Sequence, residues 1–409
     1  MRLLDTMMRR FVRAGTLRVI DADGGLHVYE ASPAPRVTVR LTDRALHTSL
    51  FLNPELRTGE AYMDGTLRIE EGTLRDLLTL YALNRTNLRG HPLQQVLRGV
   101  SKSFRRFYQR NPAATARKNV AHHYDLSNDF YRLFLDDGLV YSCAYFLHDS
   151  DSLETAQTNK LRHVAAKLAL KPGQKILDIG SGWGAMAIYL AEVADVDVTG
   201  VTLSVEQQAL ATKRAAERGL SHRVRFELKD YRAVAGPFDR IVSVGMFEHV
   251  GLGHYDEFFT KLSNLLTDDG VALVHSIGRK GGPGSTGAWV RKYIFPGGYS
   301  PSLSETLTSV ERSRLWVTDI EILRLHYAKT LAIWERRFQE NRGKVKAMFD
   351  ERFCRMWEFY LIISEFSFLY GKHMNFQIQL TKTVDALPLD RRYMERAEAA
   401  LQSNTQRGK

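Results

Sequence analysis

A carboxylate and an imidazole, Glu248 and His249, directly follow an apolar run in the segment IVSVGMFEHVG (241–251). The run IVSVGM has the length and β-branched content of a buried strand. Polar groups just beyond the carboxyl end of such a strand lie where open α/β sheets bind ligands. This position favours a role for Glu248 in ligand binding or proton transfer over a role as a helix cap.

A glycine-rich turn in KILDIGSGWGAMAIYL is the second group of residues suited to chemistry. Gly180, Gly182 and Gly184 allow the backbone to turn tightly and to approach a ligand closely. The spacing G-x-G-x-G is not the G-x-G-x-x-G of dinucleotide sites, and the sequence contains no G-x-x-x-x-G-K-[ST] phosphate loop. With Asp178 at the preceding strand end, the turn resembles the S-adenosylmethionine (SAM) turn of class I methyltransferases.

A parallel sheet would place these residues together. Strand-like segments alternate with helical stretches such as AMAIYLAEV and SVEQQALATKRAAERG; they read KILDIG, VDVTGVT, RVRFELKD, RIVSVGM and VALVHSIG. This alternation predicts an α/β fold with a doubly wound, mostly parallel sheet. From about Glu305 onward the chain is predicted to be largely helical and aromatic.

The sequence divides into three predicted regions. Residues 1–88 combine short strands, a hairpin turn at DADGG and the helical segment GTLRDLLTLYALNR, which predicts a small α+β domain. Residues 89–116 form a basic linker, and residues 117–409 form the catalytic domain. We expect the first domain to associate with lipid or membrane, or to dimerise.

Positive charge is concentrated around the predicted linker. The net charge is +11, and no acidic residue lies between Asp76 and Asp125. The basic residues in this gap are Arg85, Arg89, Arg98, Lys102, Arg105, Arg106, Arg110, Arg117 and Lys118. Apolar and aromatic residues interleave with them, which is typical of an amphipathic helix on an anionic surface. Composition alone leaves a membrane and a nucleic acid equally open.

Composition excludes several classes of protein. The chain is 44% hydrophobic and 25% charged, as in ordinary globular proteins. No apolar stretch approaches the roughly 18–20 residues that span a bilayer. The N-terminus lacks the features of a secretory signal. Two cysteines, Cys143 and Cys354, form no disulfide framework, and we expect a reducing cytoplasm.

Seven motifs in order resemble the cyclopropane-fatty-acyl-phospholipid synthase family, which includes the mycolic acid cyclopropane synthases. They are YSCAYF (141–146), ILDIGSGWG (176–184), GVTLSVEQ (200–207), FDRIVSVGMFEHVG (238–251), HSIG (275–278), YIFPGGYSPS (293–302) and HYAKTL (326–331). The resemblance extends from HHYDLSNDFY (122–131) through FQIQLTK (376–382) and includes GEAYMDG (59–65) in the N-terminal domain. It implies a seven-stranded SAM-methyltransferase sheet with helical substrate-binding insertions.

The resemblance implies a SAM site but no metal site. Asp230 is expected to accept a hydrogen bond from the adenine amino group, and Tyr231 to cover the ring. Many relatives of the fold hold the ribose with an acidic residue that is absent here, so Thr202 and Gln207 would serve instead. The full predicted set is Tyr141, Ser142, Asp178, Gly180, Gly182, Trp183, Gly184, Thr202, Leu203, Ser204, Gln207, Asp230 and Tyr231.

The resemblance also implies a bicarbonate ion beside the SAM methyl group. Its expected ligands are the side chains of Glu248, His275 and Tyr327 and the backbone N–H groups of Cys143 and Ile277. Cyclopropane formation needs a base, because a proton must leave the new methyl group before the ring closes. Without the resemblance, His275 could equally be a core histidine, and Tyr327 a core or rim tyrosine.

A long acyl chain needs an apolar pocket, and the segment WEFYLIISEFSFLYGKHMNF (357–376) is dense in suitable side chains. The predicted pocket residues are Tyr124, Phe247, Phe359, Tyr360 and Phe366. A lipid substrate favours an anionic membrane over nucleic acid as the partner of the basic linker. We therefore expect a cytoplasmic enzyme bound peripherally to the inner face of the membrane; a homodimer remains open.

Two positions depart from many relatives, and two other functions remain as alternatives. Ser181 and Ser364 stand where many relatives have cysteine, so an active enzyme would need no thiol at Ser364. A methyltransferase of the same lineage would give a methyl-branched or methylene lipid without the ring. A catalytically silent lipid- or SAM-binding module is disfavoured by the intact set of Glu248, His275 and Tyr327.

Overall fold

The computed structural model describes residues 1–87 and 126–407, with side chains up to residue 402. Its chain forms two compact units. The first comprises residues 1–87, Ser285–Pro296 and Leu331–Lys372, and the second comprises residues 126–284, Gly297–Thr330 and 373–407. The domain prediction assigned all of 117–409 to the catalytic domain, whereas two of its segments pack with the N-terminal residues. The predicted linker, 89–116, lies outside the described residues.

The described helices and strands follow in chain order. The helices are α1 (Arg2–Phe11), α2 (Ala45–Leu52), α3 (Pro54–Met63), α4 (Leu74–Asn84), α5 (Asn128–Arg132), α6 (Leu153–Lys167), α7 (Ala185–Val193), α8 (Val205–Glu217), α9 (Tyr255–Leu265), α10 (Ala288–Tyr293), α11 (Leu303–Arg312), α12 (His326–Glu340), α13 (Arg342–Met348), α14 (Glu351–Leu369) and α15 (Arg392–Arg407). The strands are β1 (Thr16–Ile20), β2 (Leu26–Glu30), β3 (Arg36–Leu41), β4 (Leu67–Glu71), β5 (Gln174–Ile179), β6 (Val196–Thr202), β7 (Val224–Leu228), β8 (Phe238–Val244), β9 (Leu266–Arg279), β10 (Trp316–Ile322) and β11 (His373–Thr381).

The first unit contains a four-stranded sheet in the order β2-β1-β3-β4. The predicted hairpin at DADGG is confirmed, because β1 and β2 pair antiparallel and Asp21 Oδ1 accepts the N–H groups of Asp23 and Gly25. The predicted helix is α4, which begins at a capping box formed by Thr73 and Asp76.

Helix α14 explains why later segments join this unit. It buries Trp357, Phe359 and Leu361, which point to more than one side of the helix, so it needs cover on several sides. Helices α3 and α4 provide that cover. Arg75 on α4 donates two hydrogen bonds, of 2.9 and 2.8 Å, to the carboxylate of Glu365 on α14.

The second unit is built on a seven-stranded sheet in the order β10-β11-β9-β8-β5-β6-β7. Strands β5 to β9 pair in parallel, and β11 pairs antiparallel with both β9 and β10. The predicted α/β class and mostly parallel sheet are confirmed. The expectation of a largely helical C-terminal region is confirmed, although this region also contributes the strands β10 and β11.

Each face of this sheet carries its own apolar cluster. Ile176, Val242 and Leu273 face helices α6, α7 and α8, whereas their strand neighbours face α9 and α11. Both faces are thereby covered, as a doubly wound fold requires. Among the described residues, no helix is long and apolar enough to cross a membrane.

Candidate active site

The glycine-rich turn joins the end of β5 to the start of α7. Gly180 and Gly184 have φ angles of 82° and 84°, which side-chain-bearing residues rarely adopt. A Cβ on Gly180 would lie 2.8 Å from Met246 Cβ, and one on Gly184 would lie 2.7 Å from the Phe226 ring. Glycine is therefore required at both positions, because the turn packs directly against the strand end of β8 and against β7.

A cleft of about 170 Å³ opens beside this turn, at the carboxyl ends of β5, β6 and β8. Of the predicted SAM set, all residues except Gly184 and Ser204 line it. Ser204 instead caps α8, where its side chain accepts a hydrogen bond from Gln207 N–H. The fold therefore places most residues of the predicted SAM set around one cavity. This cavity lies at the carboxyl ends of the strands, where open α/β sheets bind ligands.

Two residues that line the cleft, Asp178 and Ser181, each carry a buried polar atom without a partner among the described residues. These atoms are Asp178 Oδ2 and Ser181 Oγ. Burial raises the pKa of Asp178 to about 7, although the Lys160 ammonium opposes this shift. Buried polar atoms normally have partners, so this arrangement indicates a site for a polar ligand.

Lys160 is a cleft residue that sequence reasoning missed. It lies on α6, is 2% exposed, and donates a 3.1 Å hydrogen bond to Ser142 Oγ. Burial lowers its pKa to about 8. Its position could have been found, because it recurs with Leu153 and Ala156 at the helical spacing of a buried stripe.

The predicted adenine and ribose residues contact one another and their neighbours. The Asp230 carboxylate accepts hydrogen bonds of 2.9 and 2.8 Å from the Arg232 guanidinium, so an adenine amino group would share it. Thr202 Oγ1 donates to Gln207 Oε1 at 3.0 Å, which joins the end of β6 to the first turn of α8.

Glu248 lies on a short 3₁₀ turn, Phe247–His249, immediately after β8. Its Oε1 accepts a 2.6 Å hydrogen bond from Ile277 N–H, while Oε2 is buried and, among the described residues, lacks a partner. Burial raises the pKa of this carboxyl to about 7. Met246 and His249, on either side of the Phe247–Glu248 pair, line the cleft, whereas Glu248 itself does not.

His275 lies on β9 and is 1% exposed. Its Nδ1 lies 3.2 Å from Gln377 Nε2, and its Nε2 lies 3.3 Å from Asn375 Nδ2. Burial, aided by the nearby Lys160 ammonium, lowers the pKa of His275 to about 3. The imidazole is therefore neutral at physiological pH.

Cys143 and Tyr327 lie on two segments that contact each other. Ala144 N–H donates to Thr330 Oγ1 at 3.1 Å, and Thr330 lies one turn after Tyr327 on α12. Phe146 N–H donates to His326 Nδ1 at 3.1 Å. The Cys143 thiol is fully buried, and burial raises its pKa, so it is no nucleophile.

Several known proteins are similar to this chain in sequence or in structure. The sequence model of the family described as mycolic acid cyclopropane synthetase matches residues 112–378. The cyclopropane-fatty-acyl-phospholipid synthase of Escherichia coli strain K12 is 37% identical over 337 residues, which cover 82% of this chain and 85% of that protein. The tuberculostearic acid methyltransferase UfaA1 of Mycobacterium tuberculosis is 35% identical over 382 residues, covering 90% and 88%. The crystal structure of mycolic acid cyclopropane synthase CmaA1 complexed with SAH and CTAB matches with a TM-score of 0.61 at 35% identity, covering 66% of this chain and 99% of that chain.

The chain belongs to the mycolic acid cyclopropane synthetase family. This confirms the resemblance inferred from the motifs, and the chain is a SAM-dependent methyltransferase of that family. Its relatives are named both as cyclopropane synthases and as fatty acid methyltransferases. Membership in the cyclopropane synthetase family therefore establishes the class of enzyme but not its product.

The cleft of this cyclopropane synthetase family member fits SAM. The methionine end of SAM carries an ammonium and a carboxylate, and the cleft offers the Asp178 carboxyl and the Lys160 ammonium as opposite charges. The partnerless oxygens of Asp178 and Ser181, noted above among the described residues, would take hydrogen bonds from such a ligand.

The predicted bicarbonate site fits less well. Ile277 N–H donates its hydrogen bond to the Glu248 carboxylate and is not free to bind an ion. A buried carboxylate needs such a donor, because burial without hydrogen bonds is costly. The ring nitrogens of His275 lie against two amides of β11. Of the predicted ligands, Glu248 has one buried oxygen, Oε2, without a hydrogen-bond partner among the described residues.

The described residues of the predicted acyl pocket belong to both units. Phe247 is fully buried in the apolar cluster, where its ring lies 4.5 Å from that of Tyr255, and it does not line the cleft. Phe359, Tyr360 and Phe366 lie on α14 in the first unit, and Tyr124 lies outside the described residues. The acyl pocket stays a prediction.

Proposed function

We propose that this enzyme transfers a methylene group from SAM to a cis double bond of an unsaturated phospholipid acyl chain and forms a cyclopropane fatty acid. When bound, SAM would supply an electrophilic methyl group, which the double bond takes up to give a carbocation on the acyl chain. Ring closure then requires a proton to leave the new methyl group. Water would capture the carbocation, so the site has to be dry.

The buried Glu248 carboxyl is the observation that carries this proposal. Its unpartnered Oε2, among the described residues, and its pKa of about 7 suit a group that accepts or relays a proton near neutral pH. Bicarbonate is the proton acceptor that the family resemblance implies, and Glu248 would hold it through Oε2. The His275 imidazole is neutral, and burial lowers its pKa, so it is a poor acceptor for this proton near neutral pH.

The proposed product is tested by proton NMR of lipids from a host that expresses the chain. A cyclopropane ring gives protons upfield of ordinary chain methylenes, whereas a methylene product gives vinylic protons. A methyl-branched product gives neither signal. Mass alone cannot separate the cyclopropane from the methylene isomer, because their masses are equal. Absence of the upfield pair, with a methyl-branched or vinylic product instead, would transfer the assignment to a fatty acid methyltransferase, a name some relatives carry.

An anionic phospholipid membrane, at its cytoplasmic face, is the proposed partner of the basic linker. Arg98, Lys102, Arg105 and Arg106 are each expected to contribute up to about 1 kcal/mol to docking. Changing all four to alanine should weaken co-sedimentation with anionic vesicles at low salt. The matched control removes four exposed charges elsewhere, at Lys213, Arg225, Arg312 and Arg396. Equal binding by both quadruple variants would exclude the linker as the docking segment.

A further inference from the structure

Strand β11 carries three buried amides on one face. Asn375, Gln377 and Gln379 alternate along the strand, and each is at most 1% exposed. Gln377 pairs directly with His275 across the β9–β11 ladder, so their side chains lie on the same face of the sheet. The proposed reaction assigns no role to these amides.

Lys167 determines which way the Gln377 amide faces. Amide oxygen and nitrogen are usually assigned rather than observed. Here the Lys167 ammonium lies 2.8 Å from Gln377 Oε1 and has only hydrogens to donate, so the atom facing it is the oxygen. The Gln377 NH₂ group therefore faces His275 Nδ1, at 3.2 Å, and donates to it.

This contact determines where His275 holds its proton. A ring nitrogen that accepts a hydrogen bond cannot carry hydrogen, so the proton of the neutral imidazole is on Nε2. Asn375 agrees with this assignment. Its Oδ1 is buried and, among the described residues, has no partner, while its Nδ2 lies 3.3 Å from His275 Nε2. Exchanging the oxygen and nitrogen of that amide gives Nε2–H an acceptor and satisfies the oxygen.

A network of carboxylates holds Lys167 in place. Its ammonium contacts the Glu321 carboxylate and lies 3.8 Å from Asp319 Oδ2. Glu321 also bonds to His163 Nε2 at 2.6 Å, and His163 Nδ1 bonds to Glu398. Lys167 is 1% exposed, so this network fixes the ammonium that orients Gln377.

We propose that Gln377, oriented by Lys167, is a positioning residue that keeps His275 as the tautomer with its proton on Nε2. This inference rests on the proposed function of the same site. With Nδ1 blocked by the Gln377 amide, His275 can donate a hydrogen bond from Nε2 but cannot accept the proton that leaves the new methyl group. That proton is left to the acceptor at Glu248.

Nitrogen-15 NMR of histidine-labelled protein tests the tautomer directly. The His275 signals are assigned by their loss in His275→Gln. In the wild-type protein we expect an unprotonated Nδ1 and a protonated Nε2 at pH 7, because protonated and unprotonated ring nitrogens resonate far apart. A protonated Nδ1 in the wild type would overturn the proposal without any variant. This result does not depend on which lipid product the enzyme makes.

Two variants change the group that faces His275 Nδ1 or remove the residue that orients it. Gln377→Glu offers Nδ1 only an acceptor, so Nδ1 should become protonated. Lys167→Met removes the group that orients the amide, so a second tautomer should appear. The matched control is Gln379→Glu, the same change two residues along the same face, whose amide bonds to Lys167 O and Tyr393 instead. It should leave the His275 signals unchanged.

Kinetics separate positioning from a general loss of structure. Gln377→Glu should lower kcat by roughly 10–100-fold, the range found when the group that orients a metal-ligating histidine is changed. The KM for SAM should change less than about twofold, because Gln377 does not line the cleft. Equal loss of kcat in Gln379→Glu, with unchanged His275 signals in all variants, would refute the proposal while leaving the proposed lipid product intact.

Discussion

The two faces of β11 are equally buried and chemically opposite. Phe376, Ile378 and Leu380 lie in the apolar cluster with 0% exposure. Asn375, Gln377 and Gln379 alternate with them and are no more than 1% exposed. One strand therefore separates a hydrophobic layer from a buried polar layer.

The difference shows that equal burial does not mean an equal contribution to stability. Apolar area removed from water stabilises the fold at roughly 25 cal/mol per Å². A buried hydrogen bond contributes little net free energy, because folding exchanges it for a bond to water, yet losing one partner is costly. We infer that the apolar face mainly determines stability, and that the polar face mainly determines the orientation of His275.

The largest expected effect is on the apolar face. The Phe376 ring is fully buried and packs directly against the β9 backbone, because a Cβ on Gly278 would lie 2.6 Å from it. Phe376→Ala should lower the free energy of unfolding by about 3–5 kcal/mol, measured by urea denaturation. Gln379→Ala on the other face should cost about 1–3 kcal/mol. Equal costs would contradict the proposed division between the faces.

The sequence predicted the apolar parts of this arrangement better than the polar ones. The runs KILDIG and RIVSVGM are mostly apolar, as strands covered on both faces are, and they form β5 and β8. The turn at Gly180 and the position of Glu248 followed from those strands.

The buried polar layer could not be predicted, because its partners are distant in sequence. The alternation in MNFQIQL is ordinarily typical of a strand with one solvent-exposed face. Here the polar face is buried instead. One of its partners is Lys167 on α6, 210 residues away in the sequence, which donates a hydrogen bond to Gln377. The recurrence of Lys160 and Lys167 on one side of α6 was the available signal. It shows buried charge but does not identify what neutralises it.

Glu248→Gln should have an intermediate effect that depends on pH. The pKa of Glu248 is raised to about 7 in the folded protein from an ordinary value of 4.5. Between these values the folded state holds a proton that the unfolded chain has released, so wild-type stability falls as pH rises through this window. Glutamine does not titrate. Each unit of pKa difference corresponds to about 1.4 kcal/mol, so the variant should gain roughly 3 kcal/mol relative to wild type between pH 4.5 and pH 8.

Urea denaturation at both pH values measures this difference, with Glu206→Gln on the exposed side of α8 as the control. The same variant should retain SAM binding and lose about 10²-fold in turnover, because the proton acceptor is no longer held in position. Turnover near that of wild type in bicarbonate-depleted buffer would remove Glu248 from the mechanism. A pH-independent stability difference would show that its carboxyl titrates normally.

The smallest expected effect concerns two charged groups of the cleft, Asp178 and Lys160. Asp178 and Lys160 match the ammonium and carboxylate of the methionine end of SAM. Asp178→Asn and Lys160→Met should each weaken binding of S-adenosylhomocysteine about tenfold, or about 1.4 kcal/mol, in calorimetric titrations. 5′-Methylthioadenosine lacks the amino-acid end, so its affinity should not change. Thr202→Val, at the predicted ribose position, should weaken both ligands and serves as the control. Equal losses for both ligands in the Asp178 and Lys160 variants would mean that these residues support the shape of the cleft, like the amides of β11, rather than bind the charged end of the ligand.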